Sequence, residues 1–488
     1  MKKITKNFKQ NLGLIIILTF SLAVGLYQLQ KPMIANSDAY MHSLVAYRSY
    51  FYDPHYVWLP GYNYLIHSLV LILPQSLRFL KIIRVFSLIF SLLTIIFSYL
   101  LAKRIFKKNS IANITALLVA SLPMFVFMFT QSFQEVVFIP LFLAAIYFLM
   151  AKKSPFLSLT LSLLLLNLAH SIRYESWFVL PLLWLYLILK KNISKKLKIY
   201  FVLASLVVPI VMSLVFYKYN HSLLFLQEFR QKQQQGYEEI LGPISSKGNL
   251  SQSMIKFSEF YTSVFDLAYI ALAILSFLLI AKRNKKTYLL FFLPLLLLAL
   301  QFWSFFNGSN VDPHDRYFLI PAIIQMPFVA LVLNKIIKAK PFFSKASILN
   351  FLILLPLSTL VYVNQYQKSK VKHYQHELIG IRDNIEQLIV VGKGVQEHVI
   401  NESYYAFFPV DQNNYHVGKA IEYFSDRVQI PMPREQLNPD DVFAKGVNIA
   451  VLETEGEIEA DYLNSLQMEM DLLDQNIGQR SYYTFIMK

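Results

Sequence analysis

Cysteine is absent from all 488 residues, which excludes structural disulfides, cysteine-ligated zinc and a catalytic thiol and leaves the redox compartment undetermined. Acidic residues are scarce where the chain is apolar: of 30 Asp and Glu, only 11 precede residue 364. The 14 glycines form neither GxGxxG nor GxxxxGK[ST], so a nucleotide-cradling loop of either kind is excluded. Any chemistry must therefore use carboxylates, Arg, His, Lys or hydroxyls.

What is abundant is apolar surface. With 55% hydrophobic and 15% aromatic residues and a mean hydropathy of +0.43, the composition lies outside the range of soluble globular chains. The pattern predicts an all-α polytopic membrane protein. Runs able to cross a hydrocarbon core of about 30 Å fall at roughly Leu12–Leu29, Phe79–Leu101, Ile111–Phe129, Val136–Met150, Phe156–Leu168, Trp177–Leu189, Ile199–Phe216, Val264–Leu279, Tyr288–Phe305, Tyr317–Ile337 and Ile348–Val363, about eleven spans in all. A further apolar stretch, Pro60–Pro74, would invert the sidedness of every later loop if counted, and is read as re-entrant or interfacial.

Alternate loops, beginning with the N-terminus and including KRIFKK (Lys103–Lys108) and KRNKK (Lys282–Lys286), hold 23 of the 46 Lys and Arg and no acid. The positive-inside rule makes these loops cytoplasmic. Every acid before residue 364 then falls on the outer side, so the outer face is the chemical face. A cleaved signal peptide ending near Ala35 is the competing reading of the N-terminus. Residues 1–363 are expected to form the membrane domain, with long outer loops at 30–78 and 218–262. Residues 364–488, with 19 acids against 11 bases, are expected to form a small extracytoplasmic α/β domain.

Four segments concentrate ionisable groups. NSDAYMHS contains the first acid of the chain, Asp38, next to His42, and Asp38 either caps a short helix or serves a site. TQSFQEVVF places Glu135 at the mouth of a span, and HSIRYESW places Arg173 and Glu175 in a very short turn. DPHDRYFLIP brings Asp315 and Arg316 to the start of a late span. Charges at membrane depth are costly, so such groups pair with one another or mark a site. Interfacial ion pairing for Arg173 and Glu175, and interfacial anchoring for Arg316, are the alternatives. His55, Trp58 and Tyr62 of the first outer loop could line a sugar site or belong to the interfacial aromatic belt.

Taken in order over Lys2 to Val363, these segments, with WLPGYNYL and the arginine of RVFSLIFSLL, resemble the GT-C membrane glycosyltransferases that use polyprenyl-phosphate sugars. That superfamily includes the protein O-mannosyltransferases and the aminoarabinose transferases. Two departures stand out: Ala39 follows Asp38 where many relatives have a second acid, and Pro60-Gly61 replaces a Pro-Pro pair. The resemblance implies transfer of a sugar from a lipid-phosphate donor to an acceptor at the outer or lumenal face, with inversion. Asp38 would be the general base, Glu135 a second catalytic carboxylate, and Arg173 and Arg316 the ligands of the donor phosphate. His42, His55, Trp58, Tyr62, Glu175 and Asp315 would contact substrate.

No divalent metal is expected, because the paired carboxylate is missing. The expected partners are the bilayer, a lipid-linked sugar donor, and an acceptor lipid, glycan or protein, with no nucleic acid. The expected location is the plasma membrane, or the endoplasmic reticulum in a eukaryote. A transporter or flippase for a lipid-linked sugar is the rival class. It would place its charges near the midplane in broken, repeated helices, a repeat that the sequence does not display.

Overall fold

The structure is a computed structural model that describes residues 2–30, 59–72, 77–131, 133–151, 154–220, 248–264, 267–280, 285–307 and 315–339. In the tail it describes 391–392, 395, 404–408, 428–431, 437, 440, 442, 449–455, 457, 459–476 and 480–487. The chain divides into two compact units, one of Met1–Leu29, Phe51–Leu65 and Lys81–Val363, the other of Gln30–Tyr50, Ile66–Leu80 and Asn364–Lys488.

The first ten apolar runs fold as helices, as the multi-span reading predicts, and the eleventh, Ile348–Val363, lies outside the described residues. Among the described residues six helices are long and apolar enough to cross a membrane: Asn11–Gln30, Ile82–Phe106, Pro155–Ile172, Lys195–Lys218, Thr287–Phe306 and Arg316–Lys338. Shorter apolar helices, Asn109–Ala120, Gln134–Leu149 and Glu175–Ile188, fill in between them. The segment at Pro60–Pro74 forms a helix over Gly61–Ile72. Its twelve residues reach only about 18 Å at 1.5 Å per residue, short of the hydrocarbon thickness.

Helices α1 (Lys2–Gln30), α2 (Gly61–Ile72) and α3 (Leu77–Phe106) are followed by α4 (Asn109–Ala120) and α5 (Pro123–Met128). Proline, lacking an N–H, cannot continue a helix but suits its first turn, and Pro123 opens α5 after a break at Ser121 and Leu122. A second break, at residues 129–131 and 133, precedes α6 (Gln134–Leu149), and α7 (Pro155–Ile172) follows α6. These two run antiparallel and pack along their length, and the Ser162 hydroxyl of α7 donates to the Ala145 carbonyl of α6 at 2.8 Å. Short helices α8 (Glu175–Phe178) and α9 (Leu180–Ile188) come next, then α10 (Lys195–Ser205), α11 (Val207–Asn220), α12 (Leu250–Val264), α13 (Leu267–Ile280) and α14 (Lys285–Phe306). A 3-10 turn, Asp315–Phe318, leads into α15 (Leu319–Ala339). That last helix is buried along most of its length, packed by α4, α13 and α14.

A polar knot ties three of these elements. The buried Arg84 of α3 donates to the backbone carbonyls of Gln28 at 2.7 Å and Thr130 at 3.2 Å. Gln28 in turn donates to the Val126 carbonyl at 2.9 Å. Helix breaks leave carbonyls without intrahelical donors, and Arg84 and Gln28 satisfy carbonyls around this one, fixing the chain that leads into α6.

The second unit contains a five-stranded sheet of β1 (Tyr404–Phe408), β2 (Val428–Pro431), β3 (Ile449–Glu455), β4 (Met470–Asn476) and β5 (Arg480–Met487), in the order β2-β1-β3-β5-β4. The first three strands pair in parallel, with Ala406 opposite Ala450, and β5 runs antiparallel to both β3 and β4. Alternate residues Ala406, Phe408, Ala450, Leu452, Tyr483 and Phe485 form its core, closed by Leu466 of α16 (Ala460–Glu469). A sheet with helical cover is the α/β domain expected of the tail.

Candidate active site

Because α6 and α7 are an antiparallel hairpin, the start of α6 lies beside the end of α7. Glu135 stands in the first turn of α6, and Arg173 is the residue that ends α7, its extended backbone leaving the helix. A carboxylate at a helix N-terminus and a cation at a C-terminus both match the helix dipole. The third charged position, Arg316, sits in the 3-10 turn that opens α15.

The side chains converge. Arg173 Nη1 donates to Glu135 Oε1 at 2.6 Å, while its Nε and Nη2 grip Glu175 at 2.5–3.1 Å. The same Glu135 oxygen lies 3.5 Å from Nε of Arg316. One carboxylate oxygen thus stands between two guanidiniums. Side-chain exposure is 3% for Glu135 and 8% for Arg316 but 13% for Arg173 and 17% for Glu175, so the Arg173–Glu175 side is the more exposed one.

Aromatic rings complete the walls. The Tyr317 ring centre lies 5.5 Å from both guanidinium carbons, and the Phe133 ring lies 4.7 Å from that of Arg316, distances at which a cation is attracted to a π face. Burial by itself lowers the pKa of Arg173, but Glu175 and Glu135 outweigh it and hold the guanidinium above its ordinary value. Arg173 is therefore a permanent cation. Two Arg and two Glu sum to zero charge, and guanidinium forks are matched to oxyanions.

Of the positions predicted from the sequence, Glu135, Arg173, Glu175 and Arg316 are brought together. Tyr62 is fully buried in the first turn of α2, and Asp315 heads the 3-10 turn. Asp38, His42, His55 and Trp58 lie outside the described residues. Sequence reasoning assigned no role to Phe133 and Tyr317, although each sits within two residues of a singled-out charge, nor to the carbonyl ties of Arg84. Among the described residues no group of three or more His, Asp or Glu is placed to hold a metal ion.

Residues 60–217 match the family described as dolichyl-phosphate-mannose-protein mannosyltransferase. No curated protein matches the chain. Among solved structures the chain is similar to ArnT from Cupriavidus metallidurans in the apo state, at 11% identity over 96% of this chain and 97% of that one, with a TM-score of 0.58. The same enzyme bound to undecaprenyl phosphate matches at 10% identity over 97% and 98% of the two chains, with a TM-score of 0.55. The oligosaccharyltransferase AglB from Archaeoglobus fulgidus, in complex with an inhibitory peptide and a dolichol-phosphate, matches at 12% identity over 91% of this chain and 70% of that chain, with a TM-score of 0.55. At these identities the likeness is one of fold.

Proposed function

This chain is a multi-pass membrane protein with the GT-C glycosyltransferase fold, and from that premise we propose that it moves a sugar from a polyprenyl-phosphate donor to an acceptor at the outer face of its membrane. The observation that carries the reading is the convergence of Arg173 and Arg316 on one carboxylate oxygen of Glu135. Two oriented guanidiniums at the end of a membrane hairpin suit the phosphate of a lipid whose tail stays in the bilayer. The fold neighbours that carry undecaprenyl phosphate and dolichol-phosphate support the same ligand class.

In the reaction, an acceptor hydroxyl or amine attacks the anomeric carbon, and the bond from that carbon to the phosphate oxygen breaks with its electrons leaving on the phosphate. Arg173 and Arg316 stabilise the negative charge as it develops, which is where fixed cations lower a barrier most. Asp38 takes the acceptor proton, and attack opposite the departing phosphate inverts the anomeric centre. Glu135 holds both guanidiniums in register.

Purified protein incubated with a panel of polyprenyl-phosphate sugars and an envelope extract as acceptor should consume one donor and release polyprenyl phosphate. Asp38→Asn keeps the size and most of the capping ability of the side chain but removes the base. Transfer should then fall at least about a hundredfold, within the usual range of general-base contributions, with donor binding unchanged. Near wild-type turnover in the Asn variant would contradict the role of Asp38, and no donor loss with any lipid-linked sugar would contradict the reaction class.

A further inference from the structure

The turn that presents Arg173 is closed by a buried hydrogen-bond circuit that the charged cluster does not include. His170, in the last turn of α7, and Ser176, in α8, are both 0% exposed. His170 Nδ1 lies 2.7 Å from Ser176 Oγ. Ser176 Oγ also lies 2.8 Å from the backbone carbonyl of Arg173, and Trp177 Nε1 donates to the His170 carbonyl at 2.9 Å.

Counting protons assigns the direction of each bond. A carbonyl only accepts, so the single hydroxyl proton of Ser176 is committed to Arg173. The hydroxyl must then accept from His170, which requires the proton on Nδ1. Nε2 has no hydrogen-bond partner among the described residues. As a bare lone pair it is a buried unsatisfied acceptor, whereas an imidazolium would bury an unsatisfied N–H and a second cation beside Arg173. The neutral Nδ1–H tautomer is the only form in which every proton in the circuit has an acceptor.

We propose that His170, held as the neutral Nδ1–H tautomer, is a positioning residue for Arg173: through Ser176 it anchors the backbone carbonyl of Arg173 and so sets the direction in which the guanidinium meets an oxyanion. The chain of bonds runs from His170 to Ser176 to the carbonyl of Arg173 and spans only seven residues. It is independent of Glu135 and Glu175, which hold the side-chain end. The backbone end and the fork end of Arg173 are thus fixed separately, and a guanidinium with both ends fixed loses less entropy on gripping a phosphate. The functional consequence rests on the reading of Arg173 as a ligand of the donor phosphate.

Two measurements test it. In protein carrying 15N-labelled histidine, the His170 ring should show a protonated Nδ1 and an unprotonated Nε2. A protonated Nε2, in either tautomer or imidazolium form, overturns the assignment whatever the protein's function. The second is binding of polyprenyl phosphate by folded, monodisperse variants. An Asn amide nitrogen superposes on Nδ1 and can still donate to Ser176, whereas a Gln amide reaches the place of Nε2. His170→Asn should therefore bind within about threefold of wild type, and His170→Gln and Ser176→Ala should each bind about tenfold more weakly. Equal affinity in all three, or equal loss in His170→Asn and His170→Gln, overturns the positioning role. If Arg173→Gln itself binds as wild type, the phosphate-ligand reading fails while the tautomer result stands.

Discussion

Glu135 carries the most consequential geometry of any single residue, because one of its oxygens is shared by Arg173 at 2.6 Å and Arg316 at 3.5 Å while its side chain is only 3% exposed. Removing one partner from a buried ionic group leaves the others uncompensated, a change that costs about 3–5 kcal/mol in measured cases. Glu135→Gln keeps the shape and deletes the negative charge that Arg173 and Arg316 share. The variant should unfold at a lower temperature than wild type. Polyprenyl phosphate, an anion that can take the vacated role, should then raise its Tm by more than it raises that of wild type. An equal rise in the two proteins would mean that the lipid phosphate does not meet these arginines.

At the scale of elements, the site depends on how α2 meets the turn after α7. A Cβ added at Gly61 would lie 2.1 Å from the Ser171 hydroxyl oxygen and 2.6 Å from the Ser171 carbonyl oxygen. The hydroxyl can rotate away, but the carbonyl belongs to the turn that delivers Arg173. This explains why a Pro-Pro pair, whose second ring also carries a Cβ, cannot be accommodated here. Leu59, fully buried with Phe216 and packed by Tyr174 and Trp177, holds the chain just before it on the same turn. Gly61→Ala should destabilise the protein by about 1–3 kcal/mol, the usual cost of overpacking, and an unchanged Tm would show that α2 can move away without penalty.

The same turn shows what was legible in the sequence and what was not. Placing Glu135, Arg173, Glu175 and Arg316 among the residues to watch needed only the rule that charges near a bilayer are costly. The pairing of Arg173 with Glu175, two residues apart, was among the sequence readings, but that of Glu135 with Arg173 needed the register of the α6–α7 hairpin, which the uniformly apolar residues of both helices do not encode as a pattern. The break at Ser121 and Leu122 was hidden for a related reason: residues 111–129 read as one apolar run, and the proline at 123 is the one residue in it that marks an interruption. Arg84 stood out as an arginine entering a span, but its partners are backbone carbonyls, which no residue type announces.

At the scale of the whole molecule, the contrast between an apolar, basic first part and an acidic tail foretold a mostly helical protein with a small α/β region near the C-terminus, and both are present. The strand order β2-β1-β3-β5-β4 was not legible, since alternation marks a strand without naming its neighbour. Some of the basic residues that signalled sidedness also do local structural work. Lys190 donates to the carbonyls of Leu149 and Ala151 at 2.7 and 2.6 Å, closing the C-terminal end of α6, and Arg104 bonds the Tyr147 carbonyl and lies over its ring. The end of the hairpin opposite the Glu135 cluster is thus also pinned by cations. A helical scaffold fixed at both ends holds the arginines in place before any ligand arrives, which reduces the ordering cost of binding.

If these arginines take hold of a lipid-borne phosphate, the affinity of purified, folded protein for polyprenyl phosphate will register it when wild type is compared with Arg316→Lys. Lysine keeps the positive charge but loses the planar fork of donors. Wild type should bind, and the lysine variant should bind about tenfold or more weakly, corresponding to about 1.4 kcal/mol, with the same secondary structure and monodispersity. Equal affinity in the two proteins would mean that the Arg316 fork does not grip the lipid phosphate and would return Arg316 to the role of an interfacial anchor.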